Sequence, residues 1–297
     1  MQLELFSGSS RVPVQPPSAP LDDRLALIRR VGWIPYEVGS KTHELFKQMI
    51  DAPRSHRPPC LLIYGDSNNG KTTIALKFAK DRNTCVIDNA EHVTRPVLMI
   101  QNPPFADFGA LLSLGLRNLD APMPRQARME RRLDQLLTVM RTADVRMLVI
   151  DEIHTILSAK IDQRTVYLNG LKFLSNELQI PVVLIGTIEA MRALQSDQQL
   201  GNRFEPYHIP RWKNDEHYAR FLAGLCTAMR LREGANWRSK ALVGRFHAMS
   251  EGLTGETWKL MCRAAETAIR TRCERIDESV MDATEWTRPS DRRRGGV

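Results

Sequence analysis

Between residues 60 and 185, short apolar runs alternate with stretches of helical periodicity. Cys60 to Tyr64, Thr84 to Asp88, Val97 to Gln101, Met147 to Ile150 and Val182 to Ile185 each have the length of a strand. Several lack polar alternation, as strands buried on both faces do. The intervening segments Lys71 to Lys80, Phe108 to Leu119, Arg125 to Thr142 and Thr165 to Glu177 space their apolar residues as amphipathic helices do. This alternation predicts an α/β fold, a parallel sheet flanked by helices on both faces. Past Pro210 the strand-like runs stop. Helical patterns at Asp215 to Leu231, with Phe221, Leu222, Leu225 and Met229 inward, and at Glu256 to Ile276 then predict a small all-helical second domain.

Upstream of the sheet, Pro13, Pro16, Pro17 and Pro20 stand among Ser, Gly and Gln, a composition that resists helix and sheet alike. From Asp22 the stretch DDRLALIRRV is helix-like, and a turn follows at Gly32 to Pro35. A second amphipathic stretch opens near Ser40, places Leu45, Phe46, Met49 and Ile50 on one face, and meets a breaker at Pro58-Pro59. The expected division is a flexible arm at 1–21, an α/β core at 22–210, a helical lid at 211–288 and a basic tail at 289–297 that includes Arg292, Arg293 and Arg294.

Composition narrows the class. The chain has 297 residues, 42% hydrophobic and 26% charged, with 17 Gly and 17 Pro, which excludes a collagen, a coiled-coil rod or a disordered chain. The longest apolar runs fall far short of the roughly 20 residues a bilayer span needs, and the first ten residues lack the features of an export signal, so the expected location is the cytosol. Five cysteines at 60, 85, 226, 262 and 273, never paired as C-x-x-C, imply reduced thiols and no zinc site. The net charge is +8, of which +5 lies from Asn202 onward, a balance compatible with an anionic polymer partner and equally with an ordinary basic surface.

Gly65-Asp66-Ser67-Asn68-Asn69-Gly70-Lys71-Thr72 satisfies G-x-x-x-x-G-K-[ST], follows the strand CLLIY and opens the helix TTIALKFAK. The terminal glycines let the backbone turn its N–H groups onto phosphate oxygens, and the following helix adds the positive end of its dipole. Lys71 would reach the β- and γ-phosphates of ATP, Thr72 would ligate Mg²⁺, and Thr73 extends the loop into the helix. Met147 to Ile150 end in Asp151-Glu152. Asp151, at the carboxy end of a parallel strand, is placed for Mg²⁺, and Glu152 for polarising the water that attacks the γ-phosphate. The pair favours hydrolysis over transfer to another substrate.

With these motifs in place, the order of the remaining ones resembles the AAA+ ATPases. Thr187, after Leu184-Ile185-Gly186, corresponds to the sensor that touches the γ-phosphate. Gly201-Asn202-Arg203-Phe204 is similar to the box that carries an arginine finger, which implies that Arg203 completes a neighbour's site. Asn102 matches the polar residue that restrains the catalytic glutamate. Ile34 and Tyr36, with Trp33, resemble the segment over adenine, although plain core packing explains them equally well. The stretches GWIPY, HRPPCLLIYGDSNNGKT, RMLVIDEIHTIL, LKFLSNEL, IPVVLIGT and NRFEPYHIPRW narrow the likeness to the TniB transposition ATPases, relatives of TnsC and MuB, over roughly residues 22 to 270.

That resemblance implies an ATPase that assembles as a filament or ring on duplex DNA, recruits or activates a DDE transposase, and disassembles on hydrolysis. Its implied partners are DNA, the transposase, further copies of itself, and target-site adaptor or resolvase-associated proteins of the same mobile element. No membrane is involved. DNA contacts are expected at Arg117, Arg125, Arg128, Arg131 and Arg132, which also suit the exposed face of an amphipathic helix. The lid departs from the family pattern: Gly252 to Lys259 holds no arginine at the sensor 2 offset, leaving Lys259 or Arg263 as substitutes or as surface charge. His154 reads as a packed or surface histidine. Two alternatives share the motifs, a helicase loader of the IstB or DnaC type and an adaptor that binds nucleotide without hydrolysing it.

Overall fold

The structure, a computed structural model, describes residues 20–30, 32–83, 94–122, 128–195 and 201–293. The chain divides into two compact units: a core of residues 35–213 with 251–256, and a helical unit formed from the described residues of 1–34, 214–250 and 257–297.

In the core, β1 (Cys60–Tyr64), β2 (Val97–Gln101), β3 (Met147–Asp151), β4 (Val182–Gly186) and β5 (Phe204–His208) form one parallel sheet in the order β2-β3-β4-β1-β5. All residues of β3 and β4 are buried, which is why their sequences are continuous apolar runs without alternation. The helices are α2 (Glu37–Asp51), α3 (Lys71–Asn83), α4 (Phe108–Asn118), α5 (Met129–Thr142), α6 (Ile161–Leu178) and α7 (Ile188–Gln195). Leu111, Leu112 and Leu116 of α4, Leu136, Leu137 and Met140 of α5, and Leu168, Leu171 and Leu174 of α6 close one core over Leu98, Ile100, Leu148 and Ile150. Burying side chains of this size stabilises by about 1.5–3 kcal/mol each. Asp107 caps α4 by accepting from the Ala110 amide at 3.0 Å.

Four of the expected strands appear where the apolar runs stand, those at Cys60, Val97, Met147 and Val182. The run Thr84 to Asp88 lies outside the described residues. β5 is a correction, since FEPYH has no apolar run to announce it. Only Phe204 is buried, and among the described residues the strand pairs with β1 alone, where Pro206 is tolerated. The helix expected from Arg125 begins at Met129, with residues 123–127 outside the described set, and the helix expected from Thr165 begins a turn earlier at Ile161.

The helical unit holds α1 (Leu21–Ile28), α8 (Glu216–Met229), α9 (Lys240–Ser250), most of α10 (Thr254–Arg270), α11 (Glu278–Ala283) and α12 (Pro289–Arg293). Its residues include α1 and Ile34, which the sequence pattern assigns to the core. Leu25 and Ile28 are buried, and Arg24 donates to both carboxylate oxygens of Glu274 at 2.6 and 2.7 Å. The helix expected through Ile276 ends at Arg270. Arg272 and Glu274 adopt positive φ, and Arg275–Ile276 (β7) pairs instead with Gly234–Ala235 (β6). The arm expected through residue 21 gives way to helix at Leu21, and the expected tail starts as the helix α12. Cys60, Cys226, Cys262 and Cys273 are free thiols. Burial pushes Cys226 and Cys262 up to about 11, so both stay protonated. Among the described residues no helix is long and apolar enough to cross a membrane.

Candidate active site

The carboxy ends of β1, β3 and β4 bring three loops together, because register pairs Tyr64 with Gly186 and Ile150 with Leu184. The loop after β1 turns sharply at Gly65, whose φ of +156° excludes other residues and whose missing Cβ would stand 2.5 Å from the Ile209 carbonyl. Asn68 and Gly70 also take positive φ, and α3 starts at Lys71. Lys71 is 9% exposed and donates to the Gly65 and Asp66 carbonyls at 3.0 and 2.6 Å. Desolvation lowers its pKa, against the opposing pull of Asp151, Glu152 and Asp66. The hydrogen bonds of this buried ammonium go to carbonyl oxygens, which an anion's oxygens could replace.

Thr72 donates to Asp151 Oδ2 at 2.7 Å, and Asp151 Oδ1 accepts from the Glu152 amide at 2.8 Å. The hydroxyl and the carboxylate form an all-oxygen pair suited to Mg²⁺, which keeps most of its other positions for water and phosphate. Among the described residues no cluster of three or more His, Cys, Asp or Glu forms a metal cage. Glu152 sits in the left-handed region at φ 59°, and its carboxylate lies 3.2 Å from His154 Nε2. Thr187 follows β4 and is half-buried. Its hydroxyl pairs with Glu189 and holds that carboxylate below its usual range. Thr73 is exposed.

Asn102 is buried beside this centre without touching Glu152. Its amide accepts from Tyr167 Oη, donates to Thr155 Oγ1 at 2.7 Å and to the Pro103 carbonyl at 3.2 Å, while its backbone N–H donates to the Asp151 carbonyl at 2.8 Å. Asn102 is therefore bonded to the turn that follows Glu152 and not to the carboxylate. Arg203 lies far from the loop, at the amino edge of the sheet, donating to Ser175 Oγ at 3.1 Å and Asn176 Oδ1 at 2.7 Å.

The phosphate-type loop is clamped by residues the sequence reading did not select. Asp66 takes a bidentate pair from Arg211 at 2.8 and 3.0 Å, which raises the arginine pKa. Asn69 is buried, donates to the Ile209 and Pro210 carbonyls at 3.1 and 2.9 Å, and accepts from Thr254. Asn68 donates to Glu256 at 2.5 Å, and its carbonyl accepts from the Gly255 amide at 2.9 Å, an approach that leaves no room for a Cβ on Gly255. Trp212 donates to Thr254 Oγ1 at 3.1 Å and packs on Tyr36, ring centroids 5.2 Å apart. Burial raises the Tyr36 pKa. The conspicuous IPRW segment was the available signal for Arg211 and Trp212. Ile34, by contrast, packs at Gly224 of α8 in the helical unit. Lys259 and Arg263 are exposed residues of that unit. Ser67 is exposed.

Of the arginines expected at DNA, Arg117, Arg128 and Arg131 are exposed on α4 and at the start of α5. Arg132 turns inward and donates to Ser113 Oγ at 3.3 Å, and Arg125 lies outside the described residues.

The family model described as Bacterial TniB protein matches residues 24–214. No curated protein matches the chain. Among solved structures, Aeropyrum pernix ORC2 in ADPNP and ADP complexes aligns with TM-score 0.67 at 15% identity, over 91% of this chain and 74% of that one. The A. pernix ORC1 protein in complex with DNA aligns with TM-score 0.59 at 15% identity, over 88% and 68%. The Thermotoga maritima RuvB Holliday junction branch migration motor aligns with TM-score 0.54 at 15% identity, over 87% and 72%. The chain has the AAA+ fold of these neighbours.

Proposed function

This chain belongs to the TniB family, and from that premise we propose that it is a DNA-dependent ATPase of transposition, which assembles on target duplex with ATP and recruits or activates a DDE transposase. The observation that carries the reading is the 2.7 Å bond from Thr72 to Asp151, which ties the phosphate loop to the acidic strand end beside Glu152.

In this mechanism the loop amides between Gly65 and Thr72 and the Lys71 ammonium take the triphosphate, and Lys71 exchanges its two carbonyl partners for phosphate oxygens. Thr72 and Asp151 would hold Mg²⁺, which supplies charge neutralisation at the β- and γ-oxygens. Glu152 leaves His154 to orient and deprotonate the attacking water. Thr187 turns its hydroxyl from Glu189 toward the γ-phosphate. Asn102, through Thr155, fixes the turn on which Glu152 rides. Tyr36 and Trp212 close the base side of the loop. Arg203 serves the site of an adjoining copy.

Contacts from Arg117, Arg128 and Arg131 to DNA would fall on phosphates, giving affinity that drops with salt and little sequence preference. The likeness to ORC1, a protein solved with DNA, supports the DNA part of this reading. The test is phosphate release with and without duplex. The expected result is stimulation by DNA that Glu152→Gln abolishes while bound nucleotide is retained. Hydrolysis that ignores DNA, or capture of a replicative helicase in place of a transposase in pull-down, overturns it.

A further inference from the structure

An open cleft at the amino edge of the sheet is lined by His56, Arg57, Lys172, Asn176, Asn202 and Arg203. Its position follows from the topology. His56 and Arg57 precede β1, Arg203 precedes β5, and Lys172 and Asn176 stand on the last turns of α6, the helix that leads into β4. Among the described residues the lining contains four basic side chains, two amides and no carboxylate. Neighbouring arginines are paired, Arg54 with Asp144 and Arg141 with Glu177. Arg57 and Lys172 have no acidic partner among the described residues. Unpaired cations converging on one concavity favour an anion.

The phosphate loop lies at the opposite edge, after Tyr64. Five strand residues span about 16 Å at roughly 3.3 Å per residue, farther than a lysine or arginine side chain extends. An anion in the cleft therefore cannot be the triphosphate on the same chain's loop. Beside the cleft, Phe173 is 47% exposed next to Lys172, and Val166, on the same side of α6 seven residues earlier, is 67% exposed. Exposed apolar side chains flanking a cationic cleft fit a protein surface that carries phosphates better than a bare phosphodiester backbone.

Resting on the ATPase reading above, we infer that Arg57 and Lys172 act in trans with Arg203, forming a cationic receptor for the terminal phosphates of a nucleoside triphosphate held by a second copy of this chain. Such an interface is heterologous, pairing the carboxy edge of one copy with the amino edge of the next, and it propagates as a ring or filament. Arg203 is parked on Ser175 and Asn176, whereas Arg57 and Lys172 already face the cleft.

The test uses the full chain with duplex DNA and ATP. The double variant Arg57→Ala/Lys172→Ala should lose about tenfold or more of the wild-type hydrolysis rate, with unchanged melting temperature and unchanged affinity of the dilute protein for a fluorescent ATP analogue. Mixed in equal amounts with Glu152→Gln, itself inactive but with an intact cleft, it should regain hydrolysis at about a quarter of the sites, those pairing a working glutamate with an intact neighbouring cleft. Absence of rescue, or a double variant that hydrolyses like wild type, overturns the assignment. So does a loss confined to nucleotide-independent DNA affinity with a shallower salt slope, which makes the cleft a DNA site. Wild-type protein that neither assembles nor hydrolyses overturns the ATPase reading itself, whereas active wild type without rescue overturns the trans receptor alone.

Discussion

At the carboxy edge of the sheet Lys71 is buried against two carbonyls, Asp151 is met by Thr72 and by the Glu152 amide, and Asp66 is held by Arg211. At the amino edge Arg57 and Lys172 line an open cleft with no carboxylate among the described residues, and the arginine there that is tethered, Arg203, is held by a hydroxyl and an amide. The first edge has its polar groups already engaged by protein partners, which a ligand would replace. The second keeps Arg57 exposed and Lys172 half-buried, charges whose interaction energy is small until a partner excludes water. One edge has its cation already bonded within the fold, and the other leaves Arg57 and Lys172 without an acidic partner among the described residues.

The sharpest test of this contrast removes the anchors of the carboxy edge. Glu152→Gln should lower phosphate release by about 10²–10⁴-fold with nucleotide still bound, and Lys71→Ala should lower it by at least about 10²–10³-fold while also weakening nucleotide binding in equilibrium titration. Arg203→Ala should cost about 10³-fold in assembled protein and nothing in the nucleotide affinity of dilute protein. A fall in that affinity would break the separation of the two edges.

Smaller effects concern the scaffold. Asn69→Leu leaves the Ile209 and Pro210 carbonyls and the Thr254 groups without their partner, which should cost about 1–3 kcal/mol, and at about 2–4 °C per kcal/mol this is visible in a thermal melt. The smallest effect lies outside both edges. Arg24 holds the Glu274 carboxylate below its ordinary range. The resulting stability is present above the unfolded carboxylate pKa and fades as pH falls through the depressed folded value. Glu274→Gln should therefore lower the melting temperature near neutral pH, lose that deficit in acid, and leave hydrolysis unchanged.

Much of the carboxy edge was legible in the chain because its parts are local. A buried strand, a glycine-bounded loop and a helix follow one another within residues 60–83, and a second buried strand ends directly in Asp151-Glu152. The amino edge was not legible in the same way. His56, Lys172 and Arg203 lie far apart in sequence, and β5 hides behind a polar, proline-containing edge pattern that carries no apolar run. The clamp of Arg211, Trp212, Thr254 and Glu256 on the loop was missed for the same reason, since only folding brings residues 251–256 into the core. Asn102 was named from the family resemblance, and its partners Thr155 and Tyr167 could not be read from spacing.

By itself the sequence determined the α/β layering, four of the five strands of the described sheet, and the position of Lys71, Thr72, Asp151 and Glu152 at or after strand ends, because hydrophobic burial and the succession of strand, loop and helix act through neighbours along the chain. Tertiary structure alone decided the strand order, the recruitment of α1 and Ile34 to the helical unit, and the gathering of cations at the opposite edge. Those features depend on contacts between distant segments, where packing and charge are set by position in space and local pattern carries no record of them.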